Sequence, residues 1–138
     1  MNMDKILDRA IEKDASDVHL ICGNKPMLRI ARELVPIEEM EVLTPEDMNQ
    51  MYDYLVRGNV DKDEVFNTTR KLDTSYEYKG IRLRVNISLS DDIPLCTLRL
   101  IKNTLPPYES LGLPDIIRRM TYQPQGLILV TGKTNSGK

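Results

Sequence analysis

Seven residues with the composition of a phosphate-binding loop follow a short apolar run at the end of the sequence. The run is Leu127–Val130, an unbroken apolar stretch that is typical of a strand buried on both faces. It leads into a G-x-x-x-x-G-K pattern, in which backbone N–H groups surround phosphate oxygens and the lysine reaches the terminal phosphates. The loop residues are Gly132, Lys133, Thr134, Asn135, Ser136, Gly137 and Lys138. A buried strand directly before the pattern favours a phosphate loop over a polar turn.

Arginines on two neighbouring predicted strands form the second candidate group. The clearest strand pattern is Ile81–Leu89, where apolar and polar residues alternate. Arg82 and Arg84 are two residues apart there, so both project from one face, roughly 7 Å apart, and Arg99 lies on the next predicted strand. On the residues alone, a solvated face is the commoner use of such arginines.

Composition bounds the remaining function classes. The 138 residues suffice for one core and the beginning of another, with 41% hydrophobic and 29% charged residues. With a net charge of −2, the chain lacks the excess of basic residues that would indicate a nucleic-acid partner. No apolar run approaches the length of a membrane span, and the charged, amphipathic start of the chain does not resemble a signal peptide. The two cysteines, Cys22 and Cys96, form no metal motif. We therefore expect a cytoplasmic protein without direct membrane insertion.

The first half of the sequence predicts helices around a short strand region. Asp17 and His19 lie on the same face of a predicted strand. A structural hydrogen bond is the favoured role for these two side chains, because a metal site would need more ligands. The predicted elements are a helix from Met3 to about Asp14, a strand at Asp17–Cys22, a turn at Gly23–Pro26, a strand at Met27–Ile37 interrupted at Arg32-Glu33, a helix beginning at the N-cap Thr44 and closed by Arg57-Gly58-Asn59, and a short acidic helix at Asp61–Phe66.

The second half predicts an antiparallel sheet with one solvated face, followed by a separate segment. Strands are expected at Leu72–Tyr78, Ile81–Leu89 and Leu95–Ile101, joined by a tight connection at Lys79-Gly80 and a turn at Asp91–Pro94. The proline-containing stretch 103–107 predicts a linker between a domain at 1–102 and a second segment at 108–138, which contains a short helix at Pro114–Thr121.

Several stretches together resemble the N-terminal part of the type II/IV secretion ATPase superfamily, and within it the PilT-like ATPases of pilus retraction and twitching motility. They are "ASDVHL" (Ala15–Leu20), "KPMLRI" (Lys25–Ile30), "IRLRVN" (Ile81–Asn86), "LRLI" (Leu98–Ile101), "SLGLP" (Ser110–Pro114) and "GLILVTGKTNSGK" (Gly126–Lys138). They occur in the order of the family and at about its spacing, and the resemblance covers nearly the whole chain.

The resemblance implies a fold, a site and partners. The fold is α+β: a PAS-like N-terminal domain with an antiparallel sheet and flanking helices, then the first elements of an α/β RecA-like ATPase domain. The family works as a ring of six that hydrolyses ATP with Mg²⁺, whose ligands lie outside this sequence. Gly132–Lys138 would bind phosphates, and Arg82, Arg84 and Arg99 would reach them at the subunit interface. The implied partner is the pilus platform protein of the inner membrane, which would hold the motor at the cytoplasmic face of that membrane.

Two departures from the family pattern affect these expectations. The family usually has a glycine after the "LRI" strand, where this chain has Ala31-Arg32-Glu33, and this predicts a less regular hairpin. The phosphate loop commonly reads G-P-T-G-S-G-K, whereas Lys133 and Asn135 stand here at the proline and middle glycine. Asparagine tolerates left-handed backbone geometry better than most residues, so phosphate binding is still predicted.

The resemblance leaves two alternatives and one expectation about activity. The alternative within the class is a pilus-extension or type II secretion ATPase, which usually carries a further domain before the "SD-x-H" strand. The alternative from another class is a PAS-like interaction or sensing module with a chance loop match. The Ser/Thr expected after Lys138, the helix that should follow it and the Walker B acid are not in the sequence. The chain is therefore expected to be the front part of a longer ATPase and inactive alone.

Overall fold

The computed structural model describes residues 2–56, 59–101 and 107–132. It divides the chain into two compact units, 1–103 and 104–138. Several sequence predictions lie outside the described residues: the helix end at Arg57-Gly58, most of the linker at 103–107, and the loop residues Lys133–Lys138. The linker and the exact domain bounds stay predictions.

Short polar caps set where the helices of the first unit begin. Helix α1 (Met3–Glu12) starts where the Asn2 side chain accepts a hydrogen bond from the backbone N–H of Lys5, at 3.1 Å. Helix α2 (Pro45–Val56) starts with a reciprocal capping arrangement: the Asp47 N–H donates to Thr44 Oγ1 at 3.2 Å, and the Thr44 N–H donates to Asp47 Oδ2 at 3.0 Å. The predicted N-cap at Thr44 is confirmed.

Helix α3 (Val60–Thr69) is longer than the predicted segment at Asp61–Phe66. Its N-cap Asn59 accepts a hydrogen bond from the Lys62 N–H at 3.1 Å, and it ends at Arg70, which has a positive φ of 60°. Phe66 is its buried residue and packs on Tyr52 of α2, with ring centroids 4.7 Å apart. Because α3 buries so few apolar residues, its sequence has little of the apolar periodicity that marks a helix. This explains why the predicted helix was too short.

Six strands among the described residues form one antiparallel sheet in the order β3-β2-β1-β6-β5-β4. The strands are β1 (Asp17–Leu20), β2 (Met27–Ile30), β3 (Glu33–Pro36), β4 (Lys71–Tyr78), β5 (Ile81–Ser90) and β6 (Ile93–Ile101). The first and the last strand in the sequence are neighbours at the centre, with Val18 opposite Leu98. This pairing brings the two halves of the unit into one sheet. The expected antiparallel sheet with helices is confirmed, and the fold class is α+β; the PAS-like description stays a prediction.

The described hairpins β2–β3, β4–β5 and β5–β6 share one turn geometry. Each is closed by two residues with positive φ, which is typical of the two-residue turns that match strand twist. The turns are Ala31-Arg32, Lys79-Gly80 and Asp91-Asp92. The prediction of one interrupted strand at Met27–Ile37 is wrong, because the interruption is a hairpin turn. The turn predicted at Asp91–Pro94 is shorter than expected, since Ile93 and Pro94 already belong to β6.

Alternation along the strands separates a core face from a solvated face. On β5, Leu83, Val85 and Ile87 are buried, whereas Arg82, Arg84 and Asn86 are exposed. The apolar sides of α1 and α2, including Ile6, Leu7, Met48 and Met51, belong to the same core. The helices therefore cover one face of the sheet only, and the predicted solvated face is confirmed.

The second unit contains a 3-10 helix at Tyr108–Leu111 and helix α4 (Asp115–Met120). The predicted strand at Leu127–Val130 is wrong for this chain: the segment carries no strand pairing, and its side chains are exposed, by 82% at Leu127 and 71% at Val130. A strand needs a neighbour for its backbone groups, and no described strand lies along this one. Among the described residues, no helix has the length and apolar character needed to cross a membrane.

Candidate functional site

The sheet register brings the three predicted arginines onto the solvated face. Arg84 on β5 lies directly opposite Arg99 on β6, and Arg82 follows two residues away along β5, opposite Ile101. All of them are exposed. The structure therefore collects these side chains into one group, as the strand pattern predicted, and we call this group the arginine face. Their role in binding or catalysis stays a prediction.

Asp17 on β1 lies beside Arg99, at the β6 side of the arginine face. Its side chain is only 7% exposed, and Asp17 is opposite Arg99 on one side and Arg29 on the other. Arg99 Nε donates to Asp17 Oδ1 at 3.0 Å, Arg29 Nε is 3.6 Å from Oδ2, and the Ser16 hydroxyl donates to Oδ2 at 2.8 Å. The structural hydrogen bond predicted for Asp17 is therefore present, and it belongs to a shared ion pair with two arginines.

The electrostatic balance at Asp17 favours the charged form. Burial alone would raise the pKa of this carboxyl, but the hydrogen bonds from Ser16 and Arg99, together with the positive charge of Arg99, lower the pKa below its ordinary value. Asp17 is therefore a carboxylate at neutral pH. It supplies a fixed negative charge beneath the two arginines that it contacts.

Arg84 and Arg82 are held less firmly than Arg99. Arg84 Nε is 3.6 Å from Asp73 Oδ1 on β4, but the two side chains are 67% and 58% exposed, so solvent weakens this pair. No hydrogen bond or ion pair within the described part of the chain engages the Arg82 guanidinium. Arg99 is about as exposed as Arg84, at 64%, and the two differ in their partners: Arg99 has a hydrogen bond to a buried carboxylate, whereas Arg84 has only a longer contact with an exposed one.

Shallow depressions lie between these arginines. One, of about 320 Å³, is lined by Asp17, Asp73, Arg84, Asn86, Thr97 and Arg99. A second, of about 290 Å³, is lined by Asp73, Thr74, Ser75, Arg82, Arg84 and Ile101. Arg84 borders both. An anionic group placed in either depression would therefore meet at least one guanidinium that has free N–H donors.

His19 lies next to this group but shows no sign of metal chemistry. Its Nδ1 is 3.3 Å from the Thr97 hydroxyl, and its buried Nε2 has no hydrogen-bond partner in the described structure. Burial, with the nearby charge of Arg29, lowers the pKa of His19 below its ordinary value, so the ring is neutral at pH 7. Within the described ranges, no cluster of three or more His, Cys, Asp or Glu side chains could hold a metal ion. The expectation that Mg²⁺ ligands lie elsewhere stays a prediction.

Sequence reasoning missed Arg29 and Asp73 as members of this face. Arg29 is in the "KPMLRI" stretch, and its position opposite Asp17 follows only once the β1–β2 register is known. Asp73 is in the predicted strand at Leu72–Tyr78, and the alternation of that strand could have placed it on the same face as Arg84. Residues Lys133–Lys138 of the predicted phosphate loop lie outside the described residues.

Known proteins resemble this chain along its whole length. The type IV pilus retraction ATPase PilT of Pseudomonas aeruginosa is 31% identical over 140 residues, which span 100% of this chain and 40% of the relative. A crystal structure of the pilus retraction motor PilT with bound ADP matches 100% of this chain and 40% of that one, with a TM-score of 0.86 and 31% identity. The structure of the ATPase DotB of Legionella pneumophila matches 99% of this chain and 38% of that one, with a TM-score of 0.80 and 26% identity. No protein-family model matches the chain.

The fold and these matches define a class of protein. A six-stranded antiparallel sheet with flanking helices, which solved ATPase structures match over nearly the whole chain, is the fold of the N-terminal portion of those proteins, and it resembles the type II/IV secretion ATPase superfamily. The similarity to PilT in both sequence and fold agrees with the resemblance to PilT-like ATPases that the sequence pattern indicated. The chain spans about two fifths of the length of these relatives.

Proposed function

We propose that this chain forms the N-terminal part of a hexameric ATPase motor that powers type IV pilus retraction, and with it twitching motility. The observation that carries the proposal is that the whole of this chain matches part of PilT, at 31% identity and a TM-score of 0.86. The arginine face supports it, because a group of exposed guanidinium side chains on a rigid sheet suits a phosphate ligand. The motor as a whole extends beyond the residues described above.

The chemistry that we propose for the arginine face is stabilisation of transferring phosphate. Hydrolysis of ATP places growing negative charge on the oxygens around the γ-phosphorus and on the leaving group. Arg82, Arg84 and Arg99 would bring positive charge and planar N–H donors to those oxygens from a neighbouring subunit. Gly132–Lys138 would hold the phosphates of the bound nucleotide through backbone amides and the Lys138 ammonium. When bound, Mg²⁺ would add charge neutralisation, through ligands that we place outside this sequence.

The setting that we propose is cytoplasmic. The motor would sit at the inner face of the cell membrane through the pilus platform protein, without inserting into the bilayer itself. Neither nucleic acid nor anionic lipid is an expected ligand, because the net charge of −2 offers no basic footprint. The partner assignment rests on the resemblance to the PilT-like ATPases.

We also propose that the 138-residue chain alone does not hydrolyse ATP. The phosphate loop needs the strand before it to be fixed in a sheet, and Leu127–Val130 is exposed and unpaired. A loop without that support must be ordered by the nucleotide itself, which weakens binding. A phosphate-release assay should show no turnover above the buffer rate, and turnover that Lys138→Ala removes would contradict the proposal.

The test of the motor function uses the full-length protein in its own cells. Arg84→Ala and Lys138→Ala should each abolish twitching while surface pili remain, because a retraction motor is not needed for assembly. Glu38→Ala, which removes an exposed carboxylate away from the arginine face, is the matched control and should leave twitching intact. Loss of surface pili in both variants would instead support the extension alternative. Normal twitching in both would reject an ATPase motor of either kind.

A further inference from the structure

The antiparallel pairing of β5 and β6 creates an electrostatic problem on the arginine face. Arg84 and Arg99 are directly opposite each other in this register. Directly opposed side chains have Cβ atoms about 4.5–5.5 Å apart, and like charges at such positions destabilise a sheet. Two unpaired guanidinium groups here would turn away from each other and into solvent. Other groups must therefore hold the two guanidinium groups in place if both are to contact one anion.

A carboxylate stands on the outer side of each member of the pair. Asp17 is opposite Arg99 on β1 and accepts from its Nε at 3.0 Å, while Asp73 on β4 is 3.6 Å from the Nε of Arg84. In both cases the carboxylate engages Nε, which leaves terminal amino groups of the guanidinium for another ligand. The depression of about 320 Å³ lies between these two arginines. The depression is lined by both guanidinium groups and both carboxylates, so an anion bound there would have to contact the free terminal amino groups of Arg84 and Arg99 and lie away from Asp17 and Asp73.

The two carboxylates differ in how firmly they can hold an arginine. The Asp17 side chain is 7% exposed, and Ser16 and Arg29 bind its second oxygen. The Asp73 side chain is 58% exposed and sits in a pair that solvent and salt weaken. A buried carboxylate with its remaining oxygen satisfied has little freedom to move. The position of Arg99 should therefore depend on Asp17.

We propose that Asp17 is a positioning residue: its buried carboxylate fixes the Arg99 guanidinium beside Arg84, so that both can face one phosphate group. The identity of the anion rests on the proposed function. Asp17 does not touch the phosphate itself, because its oxygens are already engaged by Arg99, Arg29 and Ser16. Its action passes through Arg99, and a loss of Asp17 matters only while Arg99 is present.

The test is a double-mutant cycle in the full-length protein, with kcat and KM for ATP measured below the melting temperature of every variant. Asp17→Ala should lower kcat by roughly 10- to 100-fold, since misplacing a catalytic group by about 1 Å can cost 10²-fold. KM should change by less than about threefold, because the phosphate loop binds the nucleotide. In an Arg99→Ala background, adding Asp17→Ala should cause no further fall in kcat. Glu38→Ala, which breaks an exposed ion pair of the same 3.0 Å length, is the matched control and should keep the wild-type kcat.

The outcomes separate this inference from the function on which it rests. If Arg99→Ala hydrolyses ATP at the wild-type rate, the assignment of Arg99 to the site fails, and the role of Asp17 fails with it. If Arg99→Ala is slow and Asp17→Ala is normal, only the positioning role is overturned. If the two losses multiply in the double variant, Asp17 acts through stability and not through Arg99. Should Asp17→Ala fail to fold, Asp17→Asn keeps the side-chain shape and must still show a kcat loss that vanishes without Arg99.

Discussion

The arginines of the solvated face differ in what already engages them. Arg99 is anchored to a buried carboxylate, Arg84 has a weak exposed pair, and Arg82 has no partner in the described part of the chain. Surface arginines of equal mobility would be interchangeable in their effects on an anion. If the proposed anion site is correct, these differences predict graded roles, with Arg99 held by Asp17 and with Arg82 and Arg84 less constrained.

The stability supplied by Asp17 should depend on pH in a defined direction. Its pKa is lowered in the folded chain, so its contribution is fully present above the unfolded value of about 3.9 and is lost as pH falls through the folded value. Asp17→Asn should destabilise the chain by about 1.5–3 kcal/mol at pH 7, in the range of hydrogen bonds to charged groups. Chemical denaturation at pH 7, 5, 4 and 3 should show the difference from wild type shrinking as the solution becomes acidic.

The control for this pH series is Glu38→Gln, which removes one charge from the exposed Lys25–Glu38 pair. Its effect should stay within about 1 kcal/mol, as is usual for surface ion pairs. A gap between Asp17→Asn and wild type that is the same at pH 7 and pH 3 would show that packing, and not the charge of Asp17, supplies the stability.

At the scale of helices and strands, the features that were predicted correctly are those that a local sequence pattern encodes. The alternation on β5 gave its two faces, and the Thr44 cap gave the start of α2. The β2–β3 turn was expected to be less regular because Ala31-Arg32 contains no glycine, asparagine or aspartate, which are the residues that normally signal such turns. That expectation is wrong, since the turn has the same two-residue geometry as the other hairpins. Lys79-Gly80 has the same turn geometry and was recognised from its glycine.

Contacts distant in sequence could not be predicted from local patterns. The β1–β6 pairing joins residues about 80 positions apart, as in Asp17 with Arg99, and no local signal encodes its register. The candidate arginines could be named from the sequence because each lies in a recognisable strand. The contact of Arg99 with a buried carboxylate could not be predicted, since it depends on that distant pairing and on the burial of Asp17.

The β2–β3 turn provides a test of backbone strain. Ala31 and Arg32 have φ values of 48° and 77°, in a region that costs non-glycine residues roughly 1–2 kcal/mol. Arg32→Gly should stabilise the chain by about 0.5–1 kcal/mol, because the relief of strain exceeds the added entropy of the unfolded chain. Thermal or chemical denaturation measures this change. Arg32→Ala removes the same side chain without relieving strain and should not stabilise; equal effects of both variants would contradict the assigned turn geometry.

At the scale of the molecule, the described residues of the second unit include many exposed apolar side chains and no buried ones. Leu127–Val130 and the α4 residues Ile116, Ile117 and Met120 are all at least 40% exposed. An unpaired apolar strand sequence tends to pair with another edge when one is available. The first unit differs because it has a cluster of buried apolar residues, although some of its apolar side chains, such as Val60 and Val42, are exposed as well.

The 138-residue chain should therefore show concentration-dependent self-association through its second unit. Backbone amides at Leu127–Val130 should exchange rapidly in the monomer and become protected as oligomers form. A chain ended at Asn103 is the control and should remain monomeric. Light scattering and amide exchange test this together, and a strictly monomeric full chain with protected amides at Leu127–Val130 would contradict the expectation.

The most direct test of the central claim is subunit mixing in the full-length protein. Arg84→Ala subunits keep an intact phosphate loop, and Lys138→Ala subunits keep an intact arginine face. Each alone should hydrolyse ATP poorly, since an arginine supplied to the γ-phosphate contributes about 10³–10⁵ in rate. If arginines act on the nucleotide of a neighbouring subunit, exchanging the two kinds within one ring should restore hydrolysis above the sum of the separate samples, while cross-linked rings that cannot exchange should not. A mixture that never exceeds that sum, with Arg84→Ala showing a lowered melting temperature or weaker assembly, would contradict the account and return these arginines to a solvated face.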